Sequence, residues 1–60
     1  MSGTSRLLSV KELASFLGVR PSWVYGKVAT REIPHLHVGR YPRFVLPEVL
    51  AWLRERDAAS

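Results

Sequence analysis

The sequence contains no cysteine, which excludes disulfides and thiolate zinc sites. Its two histidines, His35 and His37, are one residue apart and have no further ligand pattern around them, so we predict no metal site. No apolar run approaches the roughly 18 residues of a membrane span. The N-terminus also lacks the hydrophobic stretch of a signal peptide. These absences lead us to expect a cytoplasmic protein that needs no cofactor.

The chain is short, at 60 residues, and should bury only about 60% of the surface that its unfolded form exposes. Hydrophobic residues nevertheless make up 47% of it and include Trp23 and Trp52, which is typical of a globular chain rather than a disordered one. We predict one domain over residues 7–56, with a flexible leader over 1–6 and a frayed tail over 57–60.

Positive charge is concentrated in one segment. The net charge is +4, and all of it lies between Arg20 and Arg43, because the charges outside this segment cancel. The segment contains a single anion, Glu32, and five cations: Arg20, Lys27, Arg31, Arg40 and Arg43. An even spread of the same charge would indicate only a solvated basic face. Its concentration indicates a polyanionic partner, most often nucleic acid.

Two helices are predicted before and within this segment. Ser9 and Glu12 have the spacing of a capping box, and Gly18 can adopt the left-handed conformation that ends a helix. Apolar residues at helical spacing between them predict a helix over Val10–Leu17. Pro21 suits the first position of a second helix, over Pro21–Ala29.

The second helix should bury Val24 and Val28, with Trp23 and Lys27 at the edge of the core. Its outer face is then formed by Ser22, Tyr25, Gly26 and Ala29. Arg20 is a poor N-cap because its side chain accepts no hydrogen bond, which leaves the first amides of the helix for water, Ser22 or a phosphate. Two helices joined by a short glycine-containing turn indicate a helix-turn-helix, whose second helix enters the major groove of DNA.

Gly26 is unusual inside a helix, where glycine costs roughly 1 kcal/mol relative to alanine. Close approach of another surface, which would be DNA here, is one explanation. Simple tolerance of one glycine is the other, and both stay open.

A β-hairpin should follow, with a turn at Gly39-Arg40 and a return strand over Arg43–Val45. Leu36 and Val38 alternate with the two histidines, which predicts that Leu36, Val38 and Phe44 pack against the helices. Arg40 and Tyr41 remain at the tip. This predicts a wing that reaches a neighbouring groove or phosphate.

The last helix should begin at Leu46–Glu48, with Pro47 in its first position. Trp52 is expected in the core, whereas Leu50 suits either the core or a contact with a second protomer. Arg54–Ser60 reads as a charged, fraying tail. The predicted fold is mostly α with a small β-hairpin, a three-helix winged helix-turn-helix.

Spaced blocks over most of the chain resemble the excisionase-type winged helix-turn-helix family, part of the wider MerR-like superfamily. The blocks are Leu8–Ala14, Leu17–Val19, Val24-Tyr25, Glu32–Pro34, Val38–Arg40, Arg43-Phe44 and Ala51–Leu53. The resemblance implies a cytoplasmic protein of a bacterial cell, associated with the nucleoid and encoded by the cell, a phage or a mobile element. It also implies a second helix in the major groove and a wing at the minor groove or backbone.

This chain departs from the family pattern at four positions. Arg20 replaces a serine at the start of the second helix, and Gly26 replaces an arginine after the Val-Tyr pair. Arg31 stands where a glycine is usual, which should strain that turn, and His37 stands where a basic residue is usual. Lys27, Arg20 and Arg31 are therefore expected to take over the phosphate role of the missing arginine.

The resemblance implies sequence-specific binding of double-stranded DNA, at an attachment-site arm, as an excisionase or recombination directionality factor. Its partner would be a tyrosine or serine integrase, with cooperative self-association on the DNA. A small MerR-like transcriptional regulator acting at an operator is the alternative. A protein-interaction role through Leu50 and Trp52 is compatible with the directionality factor, since such factors often bind DNA cooperatively and touch the integrase. We expect no enzymatic activity, because the histidines lack a nearby carboxylate or nucleophile.

The residues expected to contact DNA lie on the second helix, in the turn after it and on the wing. They are Arg20, Ser22, Trp23, Tyr25, Gly26, Lys27, Arg31, His37, Arg40, Tyr41 and Arg43.

Overall fold

A computed structural model describes residues 7–59 and confirms the predicted fold class. Three helices and a two-stranded antiparallel hairpin follow one another as α1 (Val10–Leu17), α2 (Pro21–Ala29), β1 (Leu36–Val38), β2 (Tyr41–Arg43) and α3 (Leu46–Ala59). The predicted leader lies outside the described residues, as does Ser60. Among residues 7–59, no helix combines the length and apolar character that crossing a bilayer requires.

Local capping chemistry sets the ends of α1 as predicted. The Ser9 hydroxyl accepts from the Glu12 amide at 3.2 Å, and the Glu12 carboxylate accepts from the Ser9 amide at 2.9 Å. Both bonds of the capping box therefore form. At the other end Gly18 has φ 74°, and the amide of Val19 donates to the carbonyl of Ala14 at 3.0 Å. The chain leaves α1 in a tight turn that delivers α2 within three residues.

The core lies between the three helices and the base of the hairpin. Its buried members are Val10, Leu13, Ala14, Val24, Ile33, Phe44 and Val49. Every helix contributes, and the loop before β1 supplies Ile33. Val28 and Trp52, which were predicted to be buried, are only partly buried and pack against this cluster with other side chains. The hairpin strands themselves contribute no residue to it.

The hairpin is therefore oriented differently from the prediction. Leu36 and Val38 were expected to pack inward but are 50% and 52% exposed, and only Phe44, just beyond the strand, is buried. β2 also covers Tyr41–Arg43 rather than Arg43–Val45. Val38 pairs with Tyr41 and Leu36 with Arg43, and continuing this register places His35 opposite Phe44. Because side chains alternate between the faces of a strand, Leu36 and Val38 point away from Phe44.

The turn of the hairpin forms at Gly39-Arg40 as predicted. Gly39 has φ 63°, and Arg40 is not among the described residues with positive φ. A positive φ at the first central residue alone is the requirement of a type II′ turn, which glycine meets without steric cost. The two-residue loop fixes the register of the whole hairpin.

Two backbone hydrogen bonds attach the hairpin to the start of the domain. The amide of Leu8 donates to the carbonyl of Phe44 at 2.9 Å, and the amide of Phe44 donates to the carbonyl of Leu8 at 3.0 Å. This isolated antiparallel bridge holds the base of the hairpin, while its strands extend away from the core.

Helix α3 is longer than predicted. It begins at Leu46, which puts Pro47 in the second position, and it is helical to Ala59 through most of the segment expected to fray. The Arg56 guanidinium lies 4.9 Å from the centre of the Trp52 ring and 3.0 Å from the carboxylate of Glu32. These contacts give the second half of α3 a place on the domain that charge composition alone did not indicate.

Candidate nucleic-acid interface

The outer face of α2 has the composition that was predicted for it. Ser22, Tyr25, Gly26 and Ala29 are all exposed, and Tyr25 retains 56% of its accessible surface. Three of these side chains are small and one is a large aromatic with a polar hydroxyl. This face can approach another surface closely and offers hydrogen-bonding groups to it.

Arg20 precedes α2 as an exposed N-cap residue in extended conformation, and its side chain makes no capping hydrogen bond. The helix therefore presents the positive end of its dipole beside a guanidinium group. Such a helix start suits an anion, and a phosphate stays one of the three predicted partners of its first amides, beside water and Ser22.

Trp23 and Lys27 occupy the edge of the core, again as predicted, and contact each other. The Lys27 ammonium lies 5.5 Å from the centre of the Trp23 ring and 3.7 Å from the Glu32 carboxylate. Trp23 also packs against Trp52, with ring centroids 6.3 Å apart. Trp23 thus supports the domain, and the charge of Lys27 is already partly balanced within it.

Arg31 shows the backbone conformation expected from its replacement of a glycine. It has φ 58° and is the one non-glycine residue with positive φ among those described. The left-handed region is unfavourable for a side chain such as arginine. The predicted strain of this turn is confirmed, and the exposed Arg31 side chain is displayed next to the end of α2.

The wing, which is the hairpin of β1 and β2 with its turn, carries the remaining residues predicted to contact DNA. Arg40 is exposed at the turn, and Tyr41 is 59% exposed beside it. Arg43 is half-buried, lies 5.7 Å from the Tyr41 ring centre and donates to the carbonyl of Pro42 at 2.8 Å. His37 is exposed on the opposite face, where its ring meets that of His35 at 5.1 Å. The wing therefore presents two cations and one aromatic together.

Glu32, the single anion of the basic segment, has three side-chain partners at the end of α2 and on α3. Its carboxylate accepts from the Thr30 hydroxyl at 2.6 Å and from Arg56 at 3.0 Å, and Lys27 lies 3.7 Å away. The hydrogen bond from Thr30, followed by that from Arg56, holds the pKa of the Glu32 carboxyl below its ordinary value. The charged form of Glu32 thus links the end of α2 to the second half of α3.

The lowered pKa predicts an acid-sensitive contribution to stability. A carboxyl whose folded pKa lies below its unfolded pKa stabilises the fold at pH above the unfolded value and loses that effect as pH falls through the folded one. Glu32→Gln should therefore make the melting temperature less dependent on pH between neutral and strongly acidic solution. Glu55→Gln, at an exposed position of α3, is the charge-matched control. If the melting temperatures of wild type and Glu32→Gln change with pH by the same amount across this range, the prediction is wrong.

Two exposed residues of the wing, Leu36 and Val38, were absent from the predicted contact set. The two-residue turn could have indicated their exposure, because its register places Phe44 on one face of the hairpin and Leu36 and Val38 on the other. The described residues contain no group of three His, Cys, Asp or Glu side chains that could hold a metal ion.

Comparison with protein families gives a match over most of the chain. Residues 7–57 match a family described as a helix-turn-helix domain. Comparison with curated proteins gave no significant match, and comparison with solved structures gave none either. The matched range includes both helices of the turn, the wing and most of α3. The chain therefore belongs to this helix-turn-helix domain family, which supports double-stranded DNA as its partner.

Proposed function

We propose that the chain is an excisionase-type recombination directionality factor that binds double-stranded DNA sequence-specifically beside an integrase. The observation that carries the DNA-binding part is the exposed outer face of α2, formed by three small residues and Tyr25, together with a wing that carries Arg40 and Arg43. The directionality role rests on the resemblance of the spaced sequence blocks to excisionases. The integrase would carry out the strand chemistry, and this chain would position the DNA.

In the proposed complex α2 lies in the major groove. Ser22 and Tyr25 are exposed on its outer face and carry hydroxyls that can reach base edges. Arg20 and Arg31, exposed at its two ends, would contact phosphates on either side of the groove. Phosphate contacts position the protein, whereas the base contacts determine which sequence it prefers.

A small MerR-like transcriptional regulator is the second candidate, because the same surface would serve it. Footprinting distinguishes the two. A directionality factor should protect a series of short sites on the flanks of an attachment site, with protection strengthened by the integrase. Protection confined to a promoter, unchanged by integrase, would favour the regulator.

We expect the free chain to be a monomer in sedimentation and to associate only on DNA.

Arg40→Ala should weaken binding to every duplex by a similar factor. Arg40 is exposed at the tip of the wing, where a guanidinium would contact phosphate and carry no base information. Loss of one phosphate contact lowers the slope of log K against log salt concentration by about 0.9. Fluorescence anisotropy at several salt concentrations measures this slope.

Arg54→Ala is the matched control, since Arg54 is an exposed arginine on α3 and its removal changes the net charge equally. It should alter the slope much less. Equal effects of the two substitutions would mean that only the net charge matters and that Arg40 makes no localised contact.

A further inference from the structure

One face of the wing is apolar and open to solvent. Six large hydrophobic side chains are exposed among the described residues, and three of them, Leu36, Val38 and Tyr41, lie on the wing. Val38 pairs directly with Tyr41, and Leu36 with Arg43. Paired residues share a face of a hairpin, so these four side chains form one surface, which we call the outer wing face.

The orientation of this face follows from the anchoring of the hairpin. Phe44 is fully buried, and its ring lies 6.5 Å from that of His35. His35 in turn contacts His37. The histidine face of the hairpin is therefore the one continuous with the core, and the outer wing face projects away from it. No described hydrophobic side chain of the helices covers Leu36 or Val38 sufficiently to bury them.

The cations beside the outer wing face and its small apolar area indicate which partner it binds. Arg43, a member of this face, lies against the Tyr41 ring, and Arg40 adjoins the face at the turn. These two cations favour a polyanion. A second copy of the chain would bring the same cations together at close range. A stable protein interface also needs about 800 Å² from each partner, far more than three half-exposed side chains provide.

We propose, on the basis of the DNA-binding function above, that the outer wing face is a hydrophobic wedge that enters the minor groove. Val38 and Tyr41 flank the turn and would go deepest, against a partly unstacked base step. Leu36, nearer the base of the wing, would contact deoxyribose. Apolar side chains inserted in this way bend the duplex away from the protein, toward the major groove.

The wedge separates two kinds of wing contact. Arg40 supplies an electrostatic contribution that weakens with salt, whereas the apolar side chains act by burial and by deforming the DNA. Base steps that unstack easily, such as TA and CA, would then be preferred under the wing. The outer wing face would in this way contribute to site choice without a hydrogen bond to any base.

The test uses the double variant Leu36→Thr/Val38→Thr on a duplex that the wild-type chain has selected from a randomised pool. Threonine is β-branched, like the valine that it replaces at position 38, and is favoured in strands, so the hairpin should persist. Energy transfer between dyes at the two duplex ends reports bending, and anisotropy at several salt concentrations reports affinity. We expect reduced bending, an affinity loss of about tenfold (about 1.4 kcal/mol) and an unchanged salt slope.

Phe16→Gln is the control, because Phe16 is 63% exposed on α1 and should affect neither bending nor affinity. Netropsin, which occupies the minor groove, should abolish the difference between wild type and the double variant. Unchanged bending and affinity in both the double variant and Val38→Thr would overturn the wedge. A free wild-type dimer that the double variant disrupts would overturn it too, in favour of a protein contact. Absence of any duplex binding by the wild type would instead refute the proposed function itself.

Discussion

Phe44→Ala is expected to remove most of the folding free energy of the domain. Truncating a buried phenylalanine costs about 3–5 kcal/mol, and Phe44 is completely inaccessible to solvent. The total stability expected for 60 residues is only about 3–9 kcal/mol. The loss should be severe because Phe44 is also the point at which the wing is attached to the core.

The matched control is Phe16→Ala, which removes the same atoms from an exposed position of α1. Its effect should stay within about 0.5 kcal/mol, as for most surface substitutions. Urea unfolding followed by tryptophan fluorescence measures both, since Trp23 and Trp52 lie close together at the edge of the core. Similar midpoints for the two variants would show that Phe44 contributes no more than a surface residue.

Gly26→Leu should fold at least as well as wild type and yet bind DNA at least about tenfold more weakly (about 1.4 kcal/mol). A Cβ at position 26 would meet no heavy atom within 4 Å, and Gly26 does not have a positive φ. Replacing the glycine there should stabilise α2 by about 0.5–1 kcal/mol. It would also project from the face that we place in the major groove.

Gly26→Ala and Ser15→Leu complete this experiment. Gly26→Ala should give the gain in stability with a smaller loss of affinity, and Ser15→Leu places the same bulk on the exposed side of α1 without affecting DNA. The result decides between the two explanations of Gly26. If Gly26→Leu binds the selected duplex as tightly as wild type, the glycine is merely tolerated and DNA does not approach it closely.

The exact ends of α1 and α2 could be predicted from the sequence, because they depend on neighbouring side chains. The capping box at Ser9, the left-handed Gly18 and the placement of Pro21 are local chemistry, and the structure confirms the bounds of α1 and α2. The strained turn at Arg31 was equally visible, because a glycine is usual at that position in the family it resembles.

The faces of the wing were not predictable from alternation alone. Alternation states that Leu36 and Val38 share a face but does not state which face is buried. That choice depends on Phe44, the larger apolar side chain, whose register across the turn assigns the inner face to the histidines. The exposure of Leu36 and Val38 on the outer wing face was therefore missed, although turn length and Phe44 together indicate it.

The continuation of α3 to Ala59 was not predicted, for a different reason. Arg56 contacts Glu32, which is far away in the sequence, and it also lies over Trp52 within the same helix. Local composition shows only a run of charges there. A tertiary ion pair of this kind becomes visible only when the fold has brought the two segments together.

The two hydrogen bonds between Leu8 and Phe44 have a consequence for the order of folding. They close a loop that contains α1, α2 and the entire wing, and such a closure requires the intervening chain to be compact already. The helical pair, whose contacts are local, should therefore form before the hairpin is attached to it. The wing would then be the last part of the domain to acquire its position and the first to lose it. Because such a segment opens most easily, the surface that we assign to DNA deformation would also be free to adjust to its site.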